Sequence, residues 1–145
     1  MILFVDTSVL VKLYIAEPGS EQMREAAVKE EQIAASVLAF AEIHAALARR
    51  RREGLLLPRE HEELRLRFAD DWEVITQVPV GVEVLALIPG LCERYPLRGA
   101  DAVHLASALL LRQEGLEVLF ACSDGSLLGA AAAEKLAVFD PINEI

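Results

Sequence analysis

Short apolar runs alternate with longer amphipathic segments along this chain, and that alternation limits the fold more than any other feature. The first run, Ile2–Val5, is apolar at every position, as in a strand buried on both faces of a sheet. A second run of the same character is Val118–Ala121. Strands that alternate with helices are typical of a parallel sheet between helical layers, so the sequence predicts an α/β fold.

The predicted elements follow from the apolar spacing and from the positions of glycine and proline. Strands are predicted at 2–5, 33–35, 72–78, 118–121 and 137–139. Helices are predicted at 9–14, 20–31, 37–52, 58–68, 79–95, 100–115 and 127–136. Thr7 or Ser8 is the expected cap of the first helix, and Pro89-Gly90 is expected to kink or split the fifth.

The length and composition favour one domain covering residues 1–145. The 145 residues fit one domain, and 54% hydrophobic residues suffice for one core. No apolar run reaches the ~18 residues of a membrane span, and the first residues lack the features of a secretion signal. Cys92 and Cys122 lie in unrelated contexts, which favours reduced thiols over a disulfide. We therefore expect a cytoplasmic protein with no membrane partner.

The net charge of −9 argues against a nucleic-acid ligand, because phosphate backbones prefer basic surfaces. Carboxylates gathered around divalent cations would be neutralised, which weakens that objection. The arginine block at residues 49–52 has two interpretations. It is either a solvated helix end, where cations suit the negative end of the dipole, or a patch that contacts RNA, and we slightly favour the helix end.

Two aspartates stand where apolar runs end. Asp6 follows the first run, and Asp124 lies just past the run that begins at Val118. Ligands of open parallel sheets bind beyond the carboxyl ends of the strands, so both aspartates would face one site. Either one alone is as well explained by a helix N-cap, but the two together favour a binding site.

Two further carboxylates lie within apolar helical segments. Glu42 interrupts an almost unbroken apolar stretch, where burial of a lone glutamate is costly unless it is paired or metal-bound. The alternative is that Glu42 faces outward. Asp101 shares a helical stripe with His104 and Leu105, which places it on the buried face in the first turn. The helix N-terminus stabilises its negative charge there.

Four carboxylates in one cleft would repel one another, and divalent cations are the natural remedy. Oxygen ligands favour Mg²⁺ or Mn²⁺, and the lack of zinc-type Cys and His spacing argues against zinc. His104 is either a metal ligand or proton shuttle, or a packed residue that hydrogen-bonds near the site, and the packed role is favoured.

Four segments, in order along the chain, resemble the PIN domain, and the resemblance covers essentially the whole sequence. They are Val5-Asp6-Thr7-Ser8, Ala41-Glu42, Arg98-Gly99-Ala100-Asp101-Ala102-Val103-His104-Leu105-Ala106 and Ser123-Asp124. The segment around Asp101 is the most specific. The length and the early first strand resemble the VapC-type toxins of bacterial toxin–antitoxin pairs. This resemblance implies a three-layer fold, with a parallel five-stranded sheet whose first and fourth strands are adjacent.

The resemblance also implies a function. It implies a metal-dependent endoribonuclease in which Asp6 and Asp101 are the principal ligands of Mg²⁺ or Mn²⁺, with Glu42 and Asp124 completing the set. The supporting residues would be Thr7, Ser8 and His104. The implied partners are an RNA substrate, a second copy of the chain in a homodimer, and a small antitoxin protein.

Three alternatives stay open at this point. The first is a non-toxin PIN nuclease of RNA processing. The second is a catalytically silent PIN module that binds RNA or a partner. The third is a phosphatase of the haloacid-dehalogenase type, in which Asp6 would be the nucleophile. That class needs a second aspartate two residues further on, where this chain has Ser8, so it is the weakest of the three.

Overall fold

A five-stranded parallel sheet organises the chain in the computed structural model, which describes residues 1–30 and 32–143. The strands are β1 (Ile2–Val5), β2 (Gln32–Ser36), β3 (Thr76–Val78), β4 (Val118–Ala121) and β5 (Ala137–Phe139). Their order across the sheet is β3-β2-β1-β4-β5, with parallel pairing throughout. Phe4 is paired with Ala34 on one side and with Phe120 on the other. The predicted α/β class and the adjacency of the first and fourth strands are confirmed.

Seven α-helices cover the two faces of the sheet within the described ranges. They are α1 (Thr7–Leu10), α2 (Ser20–Lys29), α3 (Leu38–Arg52), α4 (Pro58–Val74), α5 (Val82–Arg94), α6 (Gly99–Gln113) and α7 (Gly125–Ala133). Leu3 and Val5 face the core formed with α1 to α4, while Ile2 and Phe4 face the core formed with α5 to α7. This alternation along one strand gives the predicted three layers.

The cap of the first helix differs from the prediction. Asp6 is the N-cap residue, in extended backbone conformation, and its side chain accepts a hydrogen bond from the Val9 amide. Thr7 and Ser8 lie inside the first helical turn, so the predicted capping by either of them is wrong. Asp6, Thr7 and Ser8 all favour the N-cap position, and only the backbone path decides which one takes it.

The third strand is shorter than predicted, because residues 72–74 belong to the end of α4. Trp72 lies one helical turn after Phe68, and their rings pack with centroids 5.6 Å apart. That contact extends the helix through residues whose aromatic and β-branched types favour strands. The strand prediction was therefore wrong for residues 72–75, and β3 contains only Thr76–Val78.

The predicted split at Pro89-Gly90 is absent, because α5 runs unbroken from Val82 to Arg94. Pro89 lies on the exposed side of this helix. The carbonyl that loses its hydrogen-bond donor belongs to Leu85, which is 52% exposed, so water can replace the missing donor. Val84 and Leu91 hold the opposite side of the helix in the core.

The remaining helix ends differ by a few residues from the predictions. α2 ends at Lys29, and the predicted continuation to Glu31 lies outside the described residues. α7 begins at Gly125 rather than 127, because Asp124 caps it, and it ends at Ala133. The arginine block forms the last turn of α3, as the helix-end interpretation requires.

The two cysteines differ in exposure. Cys92 is exposed and Cys122 is buried, and both are free thiols, as expected. Within residues 1–30 and 32–143, no helix is long and apolar enough to cross a membrane.

Candidate metal centre

Asp6 and Asp124 lie at the carboxyl ends of β1 and β4, the neighbouring strands where the sheet order reverses. Such a switch point leaves a crevice in which open α/β sheets bind ligands. Each aspartate also caps the helix that follows: Asp6 Oδ1 accepts from the Val9 amide at 3.3 Å, and Asp124 Oδ1 accepts from the Leu127 amide at 3.0 Å. The capping and site interpretations are therefore compatible, since capping uses only one carboxylate oxygen of each residue.

Asp6 is a nearly buried carboxyl group, with 4% of its surface exposed. Burial raises its pKa to about 6. Three interactions act against burial and lower the pKa: the hydrogen bond from Ser8 Oγ at 2.6 Å, the charge of His104 and the bond from the Val9 amide. The neighbouring Asp101 raises it further. A cation beside Asp6 would stabilise the charge that burial disfavours.

Glu42 is held by donors from two other helices. Thr7 Oγ1 donates to Glu42 Oε1 at 2.7 Å, and His104 Nε2 lies 2.7 Å from the same oxygen. The hydrogen bond from His104 is the largest of the effects that hold the pKa of Glu42 below its usual value, and the bond from Thr7 adds to it. Glu42 Oε2 has no hydrogen-bond partner in the described part of the chain.

Asp101 lies in the first turn of α6, with its side chain 17% exposed. Arg98, immediately before α6, contacts two carboxylates. Its Nε is 3.4 Å from Asp101 Oδ2, and its Nη2 is 3.4 Å from Asp124 Oδ2. The Arg98 side chain is otherwise 81% exposed. In this arrangement a guanidinium provides the positive charge between two carboxylates on neighbouring elements.

The structure thus brings the four predicted carboxylates to one end of the sheet as two linked sets. Thr7 and His104 link Glu42 to the Asp6 segment and to α6, while Arg98 links Asp101 to Asp124. In the ranges 1–30 and 32–143, no three His, Cys, Asp or Glu side chains stand close enough together to hold a metal ion. The four carboxylates therefore do not form a closed coordination sphere in this arrangement of the described residues.

The chemistry of these residues fits a hard divalent cation. The set consists of carboxylate oxygens, which suit Mg²⁺ and Mn²⁺. Asp6 is a buried acid whose Oδ1 accepts both of its hydrogen bonds, which leaves Oδ2 for another partner. Ser123 Oγ is buried beside Asp124 and has no hydrogen-bond partner among the described residues. A bound ion or its water ligands would satisfy such groups.

A groove lies away from this site, near the amino-terminal edge of the sheet. It encloses about 510 Å³ and is lined mainly by apolar side chains such as Leu13, Val28 and Val74. Its lining includes one carboxylate, Asp71, which accepts a hydrogen bond from Tyr14 Oη at 2.5 Å. This groove lacks the cluster of carboxylates that characterises the candidate metal centre.

Sequence reasoning missed Arg98 as a member of the site and the joint contact of Thr7 and His104 with Glu42. A signal for Arg98 was present, because it precedes Asp101 by three residues and such pairs lie on one helix face. Thr7 and Glu42 are 35 residues apart, and Glu42 and His104 are 62 apart. No local pattern connects positions so distant.

Comparison with known proteins agrees with this geometry. The PIN domain family profile matches residues 3–124, which include all four carboxylates. The chain belongs to the PIN domain family, and this leaves the haloacid-dehalogenase alternative without support.

Individual proteins resemble this chain in sequence or in fold. The chain is 34% identical to Ribonuclease VapC45 of Mycobacterium tuberculosis over 117 residues, which are 81% of each protein. FitAcB from Neisseria gonorrhoeae has a TM-score of 0.68 at 23% identity, covering 97% of this chain and 98% of that one. A toxin–antitoxin complex from Klebsiella pneumoniae has a TM-score of 0.66 at 21% identity, covering 100% of both chains. The two structural likenesses show a shared fold.

Proposed function

We propose that this protein is a metal-dependent endoribonuclease that hydrolyses RNA phosphodiester bonds, with one PIN domain over residues 1–145. The observation that carries the proposal is the convergence of Asp6, Glu42, Asp101 and Asp124 at the switch point of a PIN-family sheet. The ribonuclease name of a relative that is 34% identical over most of the chain supports RNA as the substrate.

In this proposal Asp6 and Asp101 are the principal ligands of Mg²⁺ or Mn²⁺, and Glu42 and Asp124 complete the set. When bound, the cation lowers the pKa of the attacking water and stabilises charge on the phosphoryl oxygens. Asp6 is fixed for this role by its bonds from Ser8 Oγ and the Val9 amide. Ser8 also accepts a bond from the Ser123 amide at 3.4 Å, which connects the ends of β1 and β4.

The proton of the attacking water passes to a carboxylate of this set, which acts as the general base. Thr7, Ser8 and His104 support the carboxylates through hydrogen bonds. Since His104 Nε2 is engaged with Glu42 and its Nδ1 is buried, His104 is assigned neither a ligand role nor a shuttle role.

We further propose that the protein is the toxin of a toxin–antitoxin pair and forms a homodimer. The support for the toxin role is the shared fold with a chain of a toxin–antitoxin complex and the VapC name of the relative. A cognate antitoxin would then be encoded next to this protein. An RNA substrate would support a cytoplasmic location.

The test is digestion of total host RNA with the purified protein and Mn²⁺, followed by sequencing of new 5′ ends. We expect discrete new ends that disappear with EDTA and with Asp6→Asn. Asp70→Asn is the matched control, because Asp70 is exposed on α4 outside the site, and it is expected to cleave normally. Identical ends from the wild type and Asp6→Asn would refute the assignment, and no cleavage by any protein would favour a silent PIN module.

A further inference from the structure

Three elements that are distant in sequence converge on one oxygen atom of Glu42. Thr7 is the first residue of α1, Glu42 lies in α3, and His104 lies in α6. Both donors reach Glu42 Oε1 at 2.7 Å. These two hydrogen bonds come from different helices and end on the same carboxylate oxygen. They therefore restrict rotation of the Glu42 carboxylate plane.

Neither donor has a competing role in the described structure. Thr7 is not the helix cap, since Asp6 has that position, and its hydroxyl donates to Glu42. His104 is 2% exposed, and its Nδ1 has no hydrogen-bond partner in residues 1–30 and 32–143. Because the Glu42 carboxylate can only accept, the proton of a neutral His104 ring lies on Nε2.

Both hydrogen bonds reach Oε1, and neither reaches Oε2, the second oxygen of the Glu42 carboxylate. With Oε1 saturated by Thr7 and His104, Oε2 is the oxygen that remains for a further partner. We propose that Thr7 and His104 are positioning residues that hold Glu42 in place so that Oε2 serves as a metal ligand. This inference rests on the proposed function, since it assigns Glu42 to the metal centre.

Four variants distinguish the loss of a hydrogen bond from a change in side-chain shape. Thr7→Val keeps the volume and removes the hydroxyl, whereas Thr7→Ser keeps the hydroxyl. His104→Leu removes the donor, whereas the amide of His104→Gln reaches to about the same point as Nε2. Mn²⁺ affinity, measured by isothermal titration calorimetry, is the primary measurement and does not depend on RNA cleavage.

Removal of an outer hydrogen-bond partner of a metal ligand typically costs about 10- to 100-fold in metal affinity. We expect Thr7→Val and His104→Leu to weaken Mn²⁺ binding at least ~10-fold, with Thr7→Ser and His104→Gln within about threefold of the wild type. In an RNA cleavage assay, the Thr7→Val defect should disappear at saturating Mn²⁺, because the positioning role acts on metal occupancy.

A double-mutant cycle connects the effect to Glu42 itself. In a Glu42→Ala background, Thr7→Val should change Mn²⁺ affinity less than about twofold, because the group that Thr7 positions is gone. An equal loss in both backgrounds would overturn the proposal. Metal-free melting curves identify unfolded variants, and if His104→Leu fails to fold, the Thr7→Val and Thr7→Ser pair decides alone.

The outcomes also separate this inference from the proposed function. Wild-type Mn²⁺ affinity in Thr7→Val, together with metal-dependent RNA cleavage, overturns the positioning role and leaves the nuclease intact. Weakened Mn²⁺ binding in Thr7→Val without RNA cleavage by any variant supports the positioning role and contradicts the nuclease. No Mn²⁺ binding by the wild type overturns both.

Discussion

Replacement of Asp6 by asparagine should stabilise the metal-free protein while destroying its metal site. Asp6 is 4% exposed, and burial raises its pKa from 3.8 to about 6. At neutral pH the folded protein therefore holds a charge in an environment that disfavours it. That difference in pKa between the unfolded and folded states corresponds to ~3 kcal/mol.

The raised pKa of Asp6 already includes its hydrogen bonds, because the bonds from Ser8 and the Val9 amide lower it. Asparagine is as good an N-cap as aspartate, so the bond from the Val9 amide should survive. The bond from Ser8 becomes one to a neutral acceptor, and the loss of the charged acceptor is already part of the ~3 kcal/mol. The expected increase in the free energy of unfolding of Asp6→Asn is therefore ~3 kcal/mol at pH 7.5 in EDTA.

The pH dependence has a definite sign. Because the folded pKa of Asp6 lies above the unfolded one, the folded state binds more protons between about pH 4 and pH 6. The contribution of Asp6 to stability therefore falls as the pH rises through this window and is constant above it. Asp6→Asn lacks this contribution, so the difference by which its free energy of unfolding exceeds that of the wild type should grow from pH 4.5 to pH 7.5.

Urea unfolding in EDTA at both pH values measures the difference, and other titrating groups cancel between the two proteins. Addition of Mn²⁺ should then stabilise only the wild type, because ligands that bind the folded state alone shift its stability. An Asp6→Asn protein that is less stable than the wild type at pH 7.5 in EDTA would refute the reasoning. A stability difference independent of pH would do so as well.

Three further predictions concern Arg98, Tyr14 and Pro89. Arg98→Gln should tighten Mn²⁺ binding about two- to fivefold by calorimetry, because it removes an exposed cation that bridges two carboxylates; weaker binding would show that Arg98 helps to build the site. Tyr14→Phe should lower the free energy of unfolding by about 1–2 kcal/mol in urea through loss of its bond to Asp71, with unchanged Mn²⁺ affinity. Pro89→Ala should raise the free energy of unfolding by about 1–3 kcal/mol, since α5 regains a helical hydrogen bond. An unchanged free energy of unfolding would mean that the helix accommodates Pro89 without cost.

The sequence was sufficient where a local pattern determines the structure. The apolar runs at Ile2–Val5 and Val118–Ala121 specify buried strands, and the aspartates that follow them lie at the strand ends as expected. The stripe that contains Asp101 also belongs to the inward side of its helix, because helical periodicity is a local property.

The sequence was insufficient where tertiary contacts decide. Trp72 continues α4 because it packs on Phe68, although its residue type suits a strand. Pro89 stays within α5 because it lies on the solvent side, which the sequence alone does not show. The partners of Glu42 come from distant segments, so its role depends on the folded chain.

The most direct test of the central claim is anomalous scattering at the manganese edge from crystals soaked in Mn²⁺. We expect a peak bound by carboxylate oxygens of Asp6 and Asp101, with Glu42 Oε2 and Asp124 nearby as direct or water-mediated partners and Arg98 withdrawn. A crystal with saturating Mn²⁺ and no peak among these carboxylates, or with Arg98 still bridging Asp101 and Asp124, would contradict it.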